Sequence, residues 1–154
     1  MIRLSKIEKI NFTGIKHKVF SVIIPTFNNL NYLKLCIGSL IKNSEYKHEI
    51  IIHVNEGSDG TLEHLKQNNI KFTYDETNAG VCVAFNKAVK RATNKFIVLG
   101  HDDMYFCPGW DTAFFNELKL MKDNTDFFLS GTMVQPFKSY IFFDCGKTYA
   151  DFDE

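Results

Sequence analysis

Four short polar segments carry the side chains best suited to bind a ligand or an ion. Each follows a stretch expected to be a β-strand; the segments are residues 26–29, 55–59, 78–80 and 101–103. In an open α/β sheet, ligands bind at the carboxyl ends of the strands. We therefore expect the four segments to share one edge of a sheet. Turns alone would not require this many polar residues there.

Asp102 and Asp103 are adjacent carboxylates at the end of an apolar run. Two such charges repel each other unless a cation or hydrogen-bond donors compensate them. Mg²⁺ and Mn²⁺ prefer oxygen ligands and can bridge to a diphosphate. Spacing alone does not distinguish such a metal site from a plain turn in which one aspartate caps the turn and the other is solvated. His101 could add a ligand, although a surface histidine beside acids is the plainer interpretation.

Three further residues could contact a nucleotide. Glu56 could accept hydrogen bonds from a base N–H or a ribose hydroxyl, as acids do at this level of nucleotide-binding sheets; it could equally stabilise a helix start. Gly80 could let backbone amides approach a phosphate, although glycine in a plain turn is more frequent. Phe27 could stack on a base, although a phenylalanine after a buried strand more often belongs to the core.

Length and charge narrow the function classes. The chain has 154 residues, with 18 Lys and Arg against 18 Asp and Glu. A zero net charge gives no general attraction to phosphate backbones, so we expect no nucleic-acid partner. Residues 1–18 are basic and are interpreted as a solvated leader rather than a phosphate-binding or membrane-binding patch. Residues 19–154 are expected to form one domain.

The chain shows no sign of membrane insertion or export. No apolar run approaches the roughly 18 residues of a membrane span, and the N-terminus lacks the apolar stretch of a secretory signal. The four cysteines lie far apart and form no CxxC pair; they are Cys36, Cys82, Cys107 and Cys145. These features favour reduced thiols and a cytoplasmic protein without a transmembrane segment.

Apolar patterning predicts strands that alternate with helices. Strands are expected at residues 19–24 (stopped by Pro25), 49–54, 71–74, 96–99, 127–134 and 140–143. Helices are expected at residues 30–41, 62–65, 81–92 and 108–121. This alternation implies βαβ units, and therefore one α/β domain with a mostly parallel central sheet flanked by helices.

The polar segments, taken in chain order, resemble motifs of the family 2 glycosyltransferases, inverting enzymes with the Rossmann-like GT-A fold. Residues 21–28 resemble the family's opening strand and Pro-Thr-Tyr-Asn turn, and residues 54–61 resemble its Asp-Asp-Gly-Ser-x-Asp-Gly-Thr segment. Residues 78–86 resemble its Asn-x-Gly helix start, and residues 99–110 its Asp-x-Asp region with the following Pro-Gly-Trp. P-loop, GxGxxG, GxSxG and HExxH motifs are absent from the sequence.

The resemblance implies a nucleoside-diphosphate sugar as donor and an unknown glycan, lipid or protein hydroxyl as acceptor. It implies Mn²⁺ or Mg²⁺ as cofactor, with Asp102 as a metal ligand, and the adjacent carboxylate makes Asp103 the second expected ligand. It also implies a set of nucleotide-sugar contacts, namely Pro25, Thr26, Phe27, Asn28, Glu56, Asn78, Gly80 and Asp102.

The chain departs from the family pattern at three places. Asn55 and Glu56 replace the usual Asp-Asp pair, which affects base recognition. Phe85 stands where a basic residue often contacts phosphate, and Gly100 stands at the first acid of Asp-x-Asp. Asp102 is therefore the last acid of that motif, with Asp103 beside it.

No motif identifies a catalytic base. Family members carry it on a later acidic segment, where this chain offers only Asp144, Asp151, Asp153 and Glu154. We therefore expect donor binding with slow transfer or none. A non-catalytic nucleotide-sugar binding domain, or the donor half of a longer enzyme, is the alternative to an active glycosyltransferase. A phosphotransferase or phosphatase with Asp102 as nucleophile is a further alternative, although no Lys and Thr/Ser constellation supports it.

Overall fold

The computed structural model describes residues 19–121 and 127–131, and within them four strands alternate with four helices. The strands are β1 (Phe20–Phe27), β2 (Glu49–Asn55), β3 (Lys71–Asp75) and β4 (Phe96–Leu99). The helices are α1 (Leu30–Lys42), α2 (Thr61–Gln67), α3 (Val81–Val89) and α4 (Trp110–Leu120). In this part of the chain, no helix is long and apolar enough to cross a membrane.

The four strands form one parallel sheet in the order β3-β2-β1-β4. The chain moves outward from β1 to β3 and then returns to the other side of β1. Because the chain reverses direction here, the carboxyl ends of the neighbouring strands β1 and β4 form a topological switch point. Open α/β sheets bind their ligands at such points. The prediction of an α/β fold with a mostly parallel sheet is confirmed.

Apolar residues cover both faces of the two central strands. Because successive side chains of a strand point to opposite faces, Val22 and Ile24 pack towards α1, whereas Ile23 packs towards Ala88 of α3. All four side chains are fully buried. Continuous apolar character, rather than alternation, is typical of strands covered on both faces.

β1 continues to Phe27, so the prediction that Pro25 stops the first strand is wrong. Its pairing with β4 ends at Ile23 opposite Leu99, whereas its pairing with β2 continues to Phe27. One side of β1 is therefore open from Ile24 onwards, and proline is tolerated where a strand has a free edge.

Helix α3 ends at Val89 and not at Ala92 as predicted. The chain turns tightly after it, with the amides of Arg91 and Ala92 bonded three residues back. Residues 127–131 lie in no strand. The rest of the predicted strand 127–134, the strand 140–143 and the leader 1–18 lie outside the described residues.

Candidate functional site

The structure brings the four polar segments to one edge of the sheet, and side chains join them there. Thr26 Oγ1 on β1 donates to Asp102 Oδ2 after β4 at 2.6 Å. Asn28 Nδ2 donates to Glu56 Oε1 after β2 at 3.1 Å. The Ala79 amide before α3 donates to Asn55 Oδ1 at 3.0 Å. Each segment is thus bonded to another one.

Asn28 and Glu56 form a closed unit with Ser58 between β1 and β2. The Ser58 amide donates to Asn28 Oδ1 at 2.9 Å, and Ser58 Oγ donates to Glu56 Oε1 at 3.1 Å. Oε1 of Glu56 therefore has two donors, from Asn28 and Ser58, and Oε2 is the oxygen available to a ligand. Since α2 begins only at Thr61, Glu56 does not stabilise that helix start.

Asp102 lies in a short loop that α1 and β1 hold from two sides. The Cys36 thiol donates to the His101 carbonyl at 3.3 Å, while Thr26 donates to the Asp102 carboxylate. Burial, together with the nearby charges of Asp102 and Asp103, raises the pKa of the Cys36 thiol, so it stays a protonated donor. Asp103 is exposed, and its carboxylate has no hydrogen bond to the residues that the structure describes.

The aspartates fit a divalent ion that is shared with a ligand. Among the described residues, no group of three or more His, Cys, Asp or Glu side chains could hold a metal by itself. Mg²⁺ commonly takes one or two protein carboxylates and completes its shell with substrate phosphate and water. Asp102 and Asp103 can supply that pair. The His101 ring instead lies edge-on to Phe85, with centroids 5.9 Å apart.

The start of α3 presents backbone amides at the same edge. Gly80 precedes the helix with φ of 84°, a backbone region that favours glycine. Its amide donates to Asn78 Oδ1 at 2.9 Å. No side chain caps the first turn of α3, which begins at Val81, so the amides from Val81 onwards are suited to an anion.

The ring of Phe27 is 46% exposed, so the expectation that it belongs to the core is wrong. Phe27 is the last residue of β1 and the one residue of that strand that is exposed. Pro25 is buried in the same strand. An exposed aromatic ring at this edge can stack on a planar base.

Asn55 is a residue whose part in the site the sequence did not reveal. It ends β2 and is only 3% exposed, yet its side-chain oxygen fixes the segment that leads into α3. The available signal is a polar residue at the carboxyl end of a buried strand, because buried polar groups are nearly always hydrogen-bonded.

The part of the chain that carries these segments is similar to known proteins. The family model described as glycosyl transferase family 2 matches residues 21–139. The uncharacterized glycosyltransferase RC0461 of Rickettsia conorii is 36% identical over 99 residues, covering 60% of this chain and 16% of that protein.

Two solved structures share the fold. The crystal structure of S. aureus TarS 1–349 in complex with UDP matches with a TM-score of 0.54 and 29% identity, covering 64% of this chain and 32% of that one. The mannosyltransferase PcManGT of Pyrobaculum calidifontis, in complex with GDP-Man and Mn²⁺, matches with a TM-score of 0.58. Its 18% identity, over 71% of this chain and 35% of that one, is a likeness of fold.

The chain spans only a minor part of these proteins, from 16% of RC0461 to 35% of the PcManGT chain. The family match nevertheless takes in most of the chain and all four segments of the site. On that match, the chain belongs to glycosyl transferase family 2.

Proposed function

We propose that this domain binds a nucleoside-diphosphate sugar at the carboxyl edge of the sheet and serves the transfer of that sugar to a hydroxyl acceptor. The observation that carries the proposal is the arrangement around the switch point. Glu56 lies on the β2 side of β1 and Asp102 on the β4 side, and each is hydrogen-bonded to the end of β1. One ligand can therefore meet a base-recognising acid and a metal-binding acid.

The nucleoside would bind on the β2 side. The exposed ring of Phe27 offers a surface for the base, and Glu56 Oε2 offers an acceptor for a base N–H or a ribose hydroxyl. Pro25 and Asn28 shape the same strand end. The similarity to TarS 1–349, solved in complex with UDP, supports a nucleoside diphosphate as the ligand.

The diphosphate would bind between the loop after β4 and the start of α3. Asp102 and Asp103 would hold Mn²⁺ or Mg²⁺. The turn formed by Asn78 and Gly80 would present the backbone amides of the first turn of α3, from Val81 onwards, to phosphate oxygens. A bound divalent ion would offset the negative charge that develops on the departing diphosphate. PcManGT, which has a similar fold, is in complex with Mn²⁺ as well as GDP-Man, and this supports the use of a divalent ion.

Transfer with inversion would require a base that takes the proton from the acceptor hydroxyl while the hydroxyl attacks the anomeric carbon in line. General-base catalysis typically contributes about 10²–10⁴-fold. The candidate acids Asp144, Asp151, Asp153 and Glu154 lie outside the described residues. The acceptor is a hydroxyl of a glycan, lipid or protein, and the cytoplasmic location stays a prediction.

Calorimetric titration of the chain with UDP, GDP, CDP and ADP, each with Mn²⁺ or with EDTA, tests the proposal. We expect at least one nucleoside diphosphate to bind, and to bind more tightly with Mn²⁺. Absence of binding to all four would contradict the proposal. A sugar-transfer assay on the same preparation then separates an enzyme from a binding domain, since the latter binds the donor and transfers nothing.

A further inference from the structure

We infer that Thr26 is a positioning residue for Asp102: its buried hydroxyl fixes one carboxylate oxygen and thereby directs the other towards a divalent ion shared with a diphosphate. The inference rests on the proposed function and assigns Thr26 a role other than nucleotide contact. It concerns how the site is held in place before any ligand arrives.

The geometry of the hydrogen bond restricts what Thr26 can do. Thr26 is 2% exposed, and its Oγ1 lies 2.6 Å from Asp102 Oδ2. That separation is typical of a charge-assisted O–H···O⁻ bond. A hydroxyl can donate one hydrogen bond, and that of Thr26 is donated to Asp102. The same hydroxyl therefore cannot also donate to a nucleotide, and at 2% exposure its remaining lone pairs are covered, so we assign its effect on a ligand to Asp102.

The bond lies where the sheet itself no longer holds the two segments together. β4 ends at Leu99, which pairs with Ile23, and the Gly100 amide makes the last backbone bond to β1, to the Ile23 carbonyl at 2.9 Å. Beyond that point, the hydrogen bond from Thr26 to Asp102 links β1 to the loop after β4 among the residues that the structure describes.

The neighbouring backbone is held as well, so the bond acts on a fixed loop. The His101 carbonyl accepts the Cys36 thiol, and the His101 amide donates to Met104 Sδ, each at 3.3 Å. A carboxylate that is already ordered loses less conformational entropy when it binds an ion. Asp103, which is exposed and lacks a described side-chain partner, has no such advantage.

The test compares T26V with T26S by calorimetric titration of UDP or GDP, whichever the wild-type chain binds more tightly, with Mn²⁺ and with EDTA. We expect T26V to reduce the gain in affinity due to Mn²⁺ about tenfold, the order expected for losing a hydrogen bond to a charged group. Affinity in EDTA should stay unchanged. T26S keeps the hydroxyl and should restore the gain.

T73V is the matched control. Thr73 lies on the outer strand β3, and its hydroxyl also makes a side-chain hydrogen bond to a neighbouring strand, with His53 Nδ1 on β2 at 2.7 Å. T73V should leave the Mn²⁺ gain unchanged. Circular dichroism and thermal melting establish that each variant is folded. If T26V does not fold, T26A provides the variant without a hydroxyl and T26S the one that retains it.

Three outcomes would overturn the inference, and they are distinguishable. An unchanged Mn²⁺ gain in T26V would show that the hydroxyl does not position Asp102. An equal loss with Mn²⁺ and with EDTA would assign Thr26 to the nucleotide itself. A wild-type chain that binds the nucleotide without any Mn²⁺ gain would remove the metal from the proposed function, and this inference with it.

Discussion

At the scale of single residues, the backbone of Glu56 decides where its carboxylate lies. Glu56 has φ of 65° and is followed by Gly57 with φ of 73°. A Cβ on Gly57 would lie 2.7 Å from Val54 Cγ1, so only glycine fits there. A non-glycine residue in the left-handed region costs about 1–3 kcal/mol, and such strain clusters at functional sites. This turn returns the Glu56 side chain to Asn28 at the end of β1.

Glu56→Gln should weaken nucleoside diphosphate binding by roughly tenfold or more, because a hydrogen bond to a charged group contributes about 1.5–3 kcal/mol. Glutamine preserves the shape and can still accept from Asn28. Calorimetry with the best-binding nucleotide measures the effect. Glu63→Gln, on the exposed side of α2, is the matched control and should bind like the wild type. Equal affinity of both variants would remove Glu56 from the nucleoside site.

Asp102→Asn should abolish most of the Mn²⁺-dependent gain in nucleotide affinity, by an order of magnitude or more, because an amide is a weaker ligand for a hard cation than a carboxylate. Asp103→Asn should have a smaller effect, since Asp103 is the more exposed and less constrained acid. Titration of UDP or GDP with and without Mn²⁺ measures both variants. A larger loss in Asp103→Asn would exchange the two roles.

At the scale of elements, a buried acid joins the amino ends of the strands, opposite the candidate site. Glu49, the first residue of β2, accepts hydrogen bonds from Ser21 on β1 and from the Thr93 amide, and pairs with Lys71 on β3. Burial alone would raise the pKa of Glu49, but the hydrogen bonds from Lys71, Ser21 and Thr93 lower it to about 2.

Glu49→Gln should lower the free energy of unfolding by about 1–3 kcal/mol at pH 7, because it leaves buried donors poorly matched. The folded-state pKa lies below the ordinary value of 4.5, so the stabilisation from Glu49 is present above pH 4.5 and is lost as the pH falls towards 2. Urea unfolding at several pH values measures this. The exposed Glu45→Gln is the control, and an identical effect of both would contradict the prediction.

Local pattern predicts the elements well because strand and helix periodicity are local properties. β4 occupies the predicted residues 96–99, and α1 begins at the predicted Leu30. The continuation of β1 through Pro25 was not predictable in this way, since it depends on β4 ending opposite Ile23. Tolerance of that proline is set by the partner strand and not by the residues around it.

The site was predictable as a set of segments and not as a set of contacts. Parallel strands place their carboxyl ends at one edge, so the convergence of Glu56 and Asp102 near β1 follows from the topology. The bond from Thr26 to Asp102 joins residues 76 positions apart, and no local sequence pattern specifies which acceptor the Thr26 hydroxyl will bond. The exposure of Phe27 likewise depends on what the flanking layers leave uncovered.

At the scale of the whole molecule, one buried and two partly buried histidines should make stability depend on pH near neutrality. Burial lowers the pKa of His48, His53 and His64 below 6.5, even though Asp111 opposes the shift at His48 and Asp75 opposes it at His53. The unfolded chain therefore binds protons at these sites more readily than the folded chain.

We expect the free energy of unfolding to fall as the pH drops from 7.5 through 6.5 to 5.5, because the three imidazoles must take up protons in the unfolded state and resist them in the folded one. Urea unfolding at these three pH values measures the trend. His64→Gln should reduce the slope, since one of the three groups is removed. A midpoint that stays constant or rises towards pH 5.5 would contradict the prediction.

The four polar segments of the candidate site lie between residues 26 and 103, so we expect acids outside that range not to affect donor binding. A combined variant with Asn at Asp144, Asp151 and Asp153 and Gln at Glu154 should bind UDP or GDP with unchanged affinity. Any transfer activity of the wild-type chain should fall in the same variant if one of these acids is the base. Calorimetry and a sugar-transfer assay measure the two properties separately, and lost affinity would place one of these acids at the donor.

Because hydrogen bonds join the four segments across the sheet, ligand binding should require the whole sheet to be formed. Residues 76 positions apart meet only when β1 is paired on both sides, so a chain with β4 detached has no complete site. A ligand that binds only the folded form stabilises it by RT ln(1 + [L]/Kd), about 2.7 kcal/mol at a hundredfold excess over Kd. A nucleoside diphosphate would thus raise the melting temperature of the domain in proportion to the logarithm of its concentration.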